Sequence, residues 1–204
     1  MAESKKVYFY PVWLRMWHGI NAIGIIILII TGISMQSMEW SFIGFNSAIS
    51  FHNIAGAIIT ISYFIFFIGN LITTNGTFYR VKPKGLIKRP MKQAQYYIWG
   101  MFHGKKAPYP LSEKRKFNPL QKYSYIIVMY LLVPMVIISG IALLYPEIIL
   151  ENVYQYSGIF VTAIFHSILG FFISIFLVVH VYIASIGKSP KENFISIISG
   201  WHHV

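Results

Sequence analysis

The 204-residue sequence contains no cysteine and little charge. Without cysteine, the chain cannot hold a thiolate-ligated iron–sulfur cluster, a thiolate zinc site, a disulfide or a covalently attached c-type haem. Charged residues make up 11% of the chain, against about 25% in soluble domains, and hydrophobic residues make up 56%. This composition indicates an integral membrane protein. We expect no cleavable signal peptide, because the first apolar run is too long for one.

Four apolar stretches exceed the roughly 20 residues that a membrane-spanning helix needs. Their predicted bounds are about 13–35, 47–72, 123–145 and 157–187. The predicted fold class is therefore all-α, an integral membrane four-helix bundle that forms a single domain over residues 1–204. Pro134 lies inside the third span and predicts a kink or a local break there. The fourth span is long enough to tilt or to project beyond the lipid.

The distribution of charge predicts how the spans are oriented. Twelve of the 17 Lys and Arg residues lie in a basic loop of about 77–122, and the others lie near the two termini. The two short loops, about 36–46 and 146–156, contain no Lys or Arg and hold three glutamates. By the positive-inside rule, both termini and the basic loop are cytoplasmic. The predicted location is the bacterial cytoplasmic (inner) membrane, crossed several times.

A strongly basic chain also raises the question of a nucleic-acid partner. Positive charge confined to cytoplasmic loops is explained by topology and by contact with anionic lipid, so we expect the lipid bilayer and no nucleic acid as a partner. Within the basic loop, residues 91–102 predict a short interfacial helix. This helix is interpreted as a cover for the end of the bundle or as a docking site for a quinone head group or a partner.

Four histidines lie inside the predicted spans: His18, His52, His166 and His180. An imidazole in hydrocarbon costs free energy unless its nitrogens are satisfied, so each is a candidate functional residue. Depth pairs His18 with His180 in the inner leaflet and His52 with His166 in the outer leaflet. His166 and His180 are 14 residues apart, a rise of roughly 21 Å, and differ in direction by only about 40°. One face of the fourth helix therefore presents one histidine to each leaflet.

Two haems, each held by two histidines and stacked along the membrane normal, satisfy this geometry. A flat macrocycle needs small residues one helical turn from each ligand, and glycine supplies them at two equivalent positions. Gly56 follows His52 by four residues, and Gly170 follows His166 by four. Similar clearance is expected at three further glycines: Gly24, Gly32 and Gly140.

The haem propionates require polar partners. Arg15 lies one turn before His18 and is the candidate partner of an inner propionate. The outer leaflet offers no such cation, so outer propionates would face water, Asn53, serine hydroxyls or a partner protein.

Other interpretations of the histidines remain open. An intramembrane histidine is often a core residue that hydrogen-bonds a neighbouring helix. Zinc is a further alternative, but pairs separated by ~20 Å provide no compact set of three or four ligands. The three remaining histidines are predicted to be solvated: His103, His202 and His203.

The chain resembles the bacterial di-haem cytochrome b family, the cytochrome b561-type membrane subunits of nickel–iron hydrogenase, formate dehydrogenase and thiosulfate reductase. The resemblance covers nearly the whole chain. It rests on a histidine in each of the first two helices, the Thr31-Gly32 pair, H-x3-G-x9-H in the fourth helix and the run Lys116 to Lys122, KFNPLQK. That run, with the stretch YYIWG at 96–100, is most similar to the thiosulfate-reductase type.

The resemblance implies two haem b groups, with the same histidine pairing that depth predicts. It also implies a site for menaquinone or ubiquinone beside the inner haem. Carried over to this chain, the quinone site is formed by Asn118 and Gln121, with His180 adjacent. A helix N-cap is the alternative role of Asn118, and the two roles can coexist.

The leading hypothesis is a quinone-reactive electron-transfer subunit of a respiratory oxidoreductase. It would carry electrons between the quinone pool at the cytoplasmic side and a redox partner at the periplasmic face. The loops are too small for a catalytic domain, so an iron–sulfur, molybdopterin, nickel–iron or multihaem c protein is the expected partner. The alternative is a stand-alone di-haem cytochrome b oxidoreductase of the superoxide:quinone type. A third possibility is a haem-free anchor or transporter.

Overall fold

The computed structural model describes residues 6–37, 39, 41–112, 115–186 and 190–203. Within these residues, four helical stretches are long and apolar enough to cross a membrane, with mean hydropathies from 1.9 to 2.7. These spans are α1 (Val12–Gln36), α2 (Phe45–Ile72), the stretch Pro119–Leu144 and α6 (Gly158–Ala184). The predicted all-helical membrane fold is confirmed. The predicted end of the fourth span, Gly187, lies outside the described residues.

The third span is interrupted near its middle. It consists of α4 (Pro119–Ile127), a π-helical turn (Val128–Leu132) and α5 (Val133–Leu144). In the π-helical turn the Val133 N–H donates to the carbonyl of Val128, five residues back. Pro134 follows at once and has no N–H to continue the regular ladder, which explains why the helix changes its winding here. The break predicted from this proline is thus a π-helical turn.

The four spans pack as two hairpins. In the first hairpin, α1 lies along α2. In the second hairpin, α4 and α5 lead through a 3₁₀ turn (Pro146–Ile148) and two short antiparallel strands, β2 (Asn152–Val153) and β3 (Tyr156–Ser157), back along α6. The backbones of the two hairpins come close to each other at only a few places. Space for side chains, or for a bound group, therefore lies between them.

Packing inside the first hairpin is close. A Cβ at Gly24 would lie 2.6 Å from Ile59 Cδ1, so this glycine permits the approach of α1 to α2. The Trp17 indole N–H donates to the Ser62 carbonyl at 3.0 Å, and the Trp17 ring stacks on Phe66 with centroids 4.4 Å apart. The expectation that Gly24 clears room for a macrocycle is wrong, because Ile59 occupies that position.

The first and the last described segments of the chain lie at one end of the bundle, here called the basic end. There β1 (Lys6–Tyr8) pairs antiparallel with β4 (Trp201–His203), and α7 (Glu192–Ser199) precedes β4. The long connection between the hairpins lies at the same end. It contains a 3₁₀ helix (Thr74–Tyr79) and α3 (Lys88–Gln95), which continues through a π-helical turn (Tyr96–Gly100) and a 3₁₀ turn (Met101–His103). The helix predicted over 91–102 is thus present and begins three residues earlier.

Candidate functional site

The structure brings the four span histidines together as two facing pairs. The ring centroids of His18 on α1 and His180 on α6 are 6.2 Å apart. Those of His52 on α2 and His166 on α6 are 6.1 Å apart. Each pair bridges the two hairpins, and α6 contributes one imidazole to both. All four side chains are half-buried.

The spacing within each pair suits a metal ion held between two imidazoles. Two metal–nitrogen bonds of about 2 Å each, with about 1.1 Å from each nitrogen to its ring centre, give centroids roughly 6 Å apart. No group of three or more His, Cys, Asp or Glu side chains comes together among the described residues. Each pair can therefore supply two ligands, and a metal bound there would take its other ligands from a bound group such as a planar macrocycle.

The pair nearer the short loops, the outer pair, is held by hydroxyl groups. The Nδ1 atom of His52 lies 2.8 Å from Thr31 Oγ1, and Nδ1 of His166 lies 2.9 Å from Ser139 Oγ. Thr31 on α1 and Ser139 on α5 are 1% and 4% exposed. These contacts occupy the Nδ1 side of both rings and leave the two Nε2 atoms for a ligand.

The pair nearer the basic end, the inner pair, has weaker support. The Tyr125 hydroxyl lies 3.4 Å from His180 Nδ1, and the Phe176 ring stacks on the His180 imidazole with centroids 5.6 Å apart. No hydrogen bond to the His18 ring comes from the described residues. The two pairs therefore differ in how firmly the protein orients their imidazoles.

The two predicted clearance glycines border open space. A Cβ at Gly56 or at Gly170 would meet no atom within 4 Å. Gly32 and Gly140 instead lie against the outer imidazoles, since a Cβ at Gly32 would be 3.7 Å from His52 Cε1. The open positions one turn from His52 and His166 fit a flat group inserted between the hairpins.

Arg15 keeps one unsatisfied donor. Its Nη1 donates to the carbonyl of Ile198 at 2.5 Å, so the cation caps the C-terminal turn of α7. Its Nε is buried and has no hydrogen-bond partner among the described residues. A buried, unpartnered guanidinium N–H one turn from His18 suits an anionic group such as a carboxylate.

The opposite end of the bundle carries an open cavity of about 530 Å³. It starts about one turn beyond Thr31 and is lined by Ser34, Met35, Gln36, Ser37, Ser41 and Phe45. Gln36 also donates to the hydroxyl of Ser167, the residue after His166, at 2.8 Å. The polar groups that line this cavity are hydroxyls and amides.

Asn118 and Gln121 form a helix cap. Asn118 Oδ1 accepts from the Gln121 N–H at 3.0 Å, and Gln121 Oε1 accepts from the Asn118 N–H at 3.2 Å, which is a capping box. The Asn118 amide also donates to the Tyr97 hydroxyl at 2.8 Å. Asn118 is 5% exposed, so its structural role is established. The Gln121 amide nitrogen makes no hydrogen bond to the described residues. This cap starts the third span at Pro119, four residues before the predicted start.

Lys116 was not singled out from the sequence, although it begins the quoted run KFNPLQK. It is 2% exposed, and its ammonium donates to Asn75 Oδ1 at 2.9 Å. Three rings surround it: Tyr10 at 4.6 Å, and Phe78 and Phe117 both at 5.5 Å. Burial lowers the pKa of Lys116 to about 7, and burial also raises the pKa of Tyr10 to about 12.

A chain of side-chain hydrogen bonds leads from Lys116 into the bundle. Asn75 donates to Asn70 at 2.7 Å, and Asn70 donates to the Tyr130 hydroxyl at 3.1 Å. Tyr130 lies in the π-helical turn of the third span. No periodic sequence signal marks such a network, because its members come from three helical elements and the connection before α4.

The histidines outside the spans differ from one another. His103 is exposed, as predicted, and its ring stacks on Trp99 with centroids 4.1 Å apart. His202 is 7% exposed, and its Nδ1 lies 2.9 Å from Ser196 Oγ, so the prediction that it is solvated is wrong. Pairing of β4 with β1 buries it beside α7. The side chain of His203 lies outside the described residues.

Comparison with known proteins assigns the chain to a family. The family profile of the prokaryotic cytochrome b561 matches residues 9–200. YdhU of Escherichia coli (strain K12), a protein classed as a cytochrome, is 29% identical over 201 residues, which cover 98% of this chain and 76% of YdhU. No solved structure matches the chain. The chain belongs to the prokaryotic cytochrome b561 family, a family of membrane proteins that bind haem b and transfer electrons.

Proposed function

We propose that His18 and His180 are the axial ligands of one haem b, and that His52 and His166 are those of a second. The facing imidazoles, with centroids 6.2 and 6.1 Å apart, carry this proposal. Bound between them, each haem supplies a one-electron redox centre whose properties the protein tunes through ligation and burial. Arg15 Nε is the proposed partner of an inner propionate, and Gly56 and Gly170 leave room for the outer macrocycle.

We further propose that the protein is the membrane subunit of a respiratory oxidoreductase. Its basic end faces the cytoplasm, as the confinement of Lys and Arg to that end supports. The quinone, menaquinone or ubiquinone, binds at the basic end. The run KFNPLQK at 116–122 supports placement in the thiosulfate-reductase-type branch of the family.

The proposed quinone site combines Gln121 with Tyr125, one helical turn further along α4. With His180 Nε2 directed at a ligand, its Nδ1–H donates to the Tyr125 oxygen, 3.4 Å away. The Tyr125 hydroxyl proton is then free for a quinone carbonyl, and the Gln121 amide nitrogen supplies a second donor. Asn118 contributes indirectly, by capping the helix that carries both residues.

The redox partner is proposed to dock at the opposite end. The loops there carry Glu39, Glu147 and Glu151 and no Lys or Arg, so they complement a partner with a basic docking face. The partner is an iron–sulfur, molybdopterin, nickel–iron or multihaem c protein. The same acidic loops disfavour the stand-alone alternative, because they would repel an anionic substrate such as superoxide.

Paired histidine variants test the haem assignment. In reduced-minus-oxidised spectra, His18→Ala and His180→Ala should remove the same haem, and His52→Ala and His166→Ala should remove the other. The exposed His103→Ala is the control and should keep both. Loss of different haems within one predicted pair would contradict the pairing. A wild-type protein without b-type bands would contradict the function altogether.

A further inference from the structure

Two dipeptides, each a hydroxyl residue followed by a glycine, contact the outer histidines. Thr31-Gly32 on α1 meets His52 of the neighbouring α2, and Ser139-Gly140 on α5 meets His166 of the neighbouring α6. In each case the hydroxyl contacts Nδ1 and the following glycine faces Cε1 of the same ring. We call these dipeptides the hydroxyl–glycine clamps. In each hairpin, one helix carries the outer histidine and the other helix carries the clamp that contacts it.

The hydroxyl groups of both clamps already donate their protons to backbone carbonyls. The Thr31 hydroxyl donates to the carbonyls of Ile27 at 2.7 Å and Leu28 at 3.1 Å. Ser139 donates in the same way to Met135 at 2.9 Å and Val136 at 3.1 Å. A hydroxyl has one proton, so with that proton committed to a carbonyl it can only accept from the imidazole.

Because the two hydroxyls can only accept, each outer histidine has one defined tautomer. Nδ1 of His52 and of His166 carries the proton, and Nε2 keeps its lone pair. An ordinary hydrogen bond of this kind does not by itself identify a ligand, since Ser196 contacts His202 in the same way. The outer pair differs from His202 because a second imidazole with the same tautomer faces the first, with centroids 6.1 Å apart. The two Nε2 atoms can therefore bind one metal ion from opposite sides.

The glycines fix how closely each helix approaches the ring. A Cβ at Gly140 would lie 3.1 Å from His166 Cε1, closer than carbon atoms normally approach, whereas one at Gly32 would lie 3.7 Å from His52 Cε1. Alanine would therefore displace His166 and leave His52 nearly undisturbed. The two clamps therefore make the same hydrogen bond, but only the Thr31-Gly32 clamp has room for a methyl group at its glycine.

Among the described residues, no equivalent hydroxyl–glycine clamp contacts the inner pair. Its one contact to a ring nitrogen from the described residues is that of Tyr125, at 3.4 Å. An imidazole that donates a short hydrogen bond to a polarised hydroxyl is a more basic ligand than one without it. A more basic ligand stabilises the oxidised metal over the reduced metal.

We infer that the two clamps are positioning elements that lower the reduction potential of the outer haem below that of the inner haem. The inference rests on the proposed function, since it requires a haem at each pair. Thr31 and Ser139 act through the histidines and need not touch the haem. Their effect is therefore confined to one of the two centres.

The test is an optical redox titration of the purified, haem-loaded protein. Thr31→Val and Ser139→Ala should each raise the midpoint potential of one haem and leave the other unchanged. In protein reduced by one electron, the ratio of reduced outer haem to reduced inner haem should increase roughly three- to tenfold. This is the change expected from the loss of one hydrogen bond of ordinary strength. Thr73→Val and Ser50→Ala are the controls, because both hydroxyls bond carbonyls of α2 in the same way without touching a histidine or a glycine of the haem site.

Two further variants separate positioning from a general effect on folding. Thr31→Ser keeps the hydroxyl and should restore the wild-type potential. Gly140→Ala should alter the electron paramagnetic resonance signal of the outer haem, whereas Gly32→Ala should not. Equal potentials in wild type and clamp variants, or equal shifts in the control variants, would overturn the inference while leaving the proposed function intact. Absence of haem from the wild type would instead refute the proposed function.

Discussion

Replacement of Gly170 by leucine should separate folding from haem binding. Gly170 lies on α6 four residues after His166, and a Cβ there meets no atom within 4 Å. The Cβ of the new side chain therefore meets no atom of the protein, and exchange of glycine in a helix interior favours the helix by up to about 1 kcal/mol. A leucine side chain would nevertheless project into the space assigned to the outer macrocycle. We expect haem content to fall from two per chain to one. Tm compared between the haem-free proteins should be unchanged or slightly raised, whereas in the haem-loaded proteins the lost haem also removes its own stabilisation of the folded chain.

Gly24→Ala is the matched control, since it changes a glycine that the structure places in a helix contact. Its Cβ would lie 2.6 Å from Ile59 Cδ1 and 2.9 Å from Ile59 Cγ1, so α1 and α2 must shift apart. Overpacking of this kind costs about 1–3 kcal/mol and should lower Tm. Haem content per folded chain should stay at two.

The assay is haem content from the pyridine haemochrome spectrum, normalised to folded protein, together with Tm from circular dichroism. Two haems per chain in Gly170→Leu, with an unchanged spectrum, would refute the assignment of this space to a macrocycle. Loss of haem from Gly24→Ala at unchanged Tm would refute the distinction between the two glycines.

Further predictions concern the basic end. Because the pKa of Lys116 in the folded protein is about 7, below its ordinary value of 10.5, the unfolded chain binds more protons between these pH values. Tm should therefore rise with pH from about 7, and Lys116→Met should reduce this rise, whereas the exposed Lys92→Met should not. Asn118→Ala should lower the free energy of unfolding by about 1 kcal/mol, measured by denaturation, because the cap is lost. Gln121→Glu keeps the capping oxygen and removes the amide donor, so it should raise KM for quinone without lowering Tm.

Hydropathy and helix periodicity are sufficient to predict the spans and the histidine pairs. Each span is a long apolar run, and a fixed rise per residue places His166 and His180 at two depths on one face. The pairs predicted in this way are the pairs that face each other in the structure. Local rules also predict the interruption at Pro134, although not that it takes the form of a π-helical turn.

Contacts between distant segments are what the sequence does not reveal. Strands β1 and β4 are three residues long, too short for a periodic pattern, and their pairing buries His202. The burial of Lys116 depends on rings and an amide contributed by other segments. The sequence predicts clearance at Gly24 as well as at Gly170, and only the position of Ile59 shows that Gly24 lies in a helix contact instead.

Near-infrared magnetic circular dichroism of the oxidised protein tests the central claim most directly, because this signal identifies the axial ligands of low-spin haem. The facing imidazoles at 6.2 and 6.1 Å predict two haems per chain, each with bis-histidine ligation. His52→Ala should leave one bis-histidine haem, that of His18 and His180. A single haem in the wild type, or a haem with a ligand other than histidine, would contradict the account.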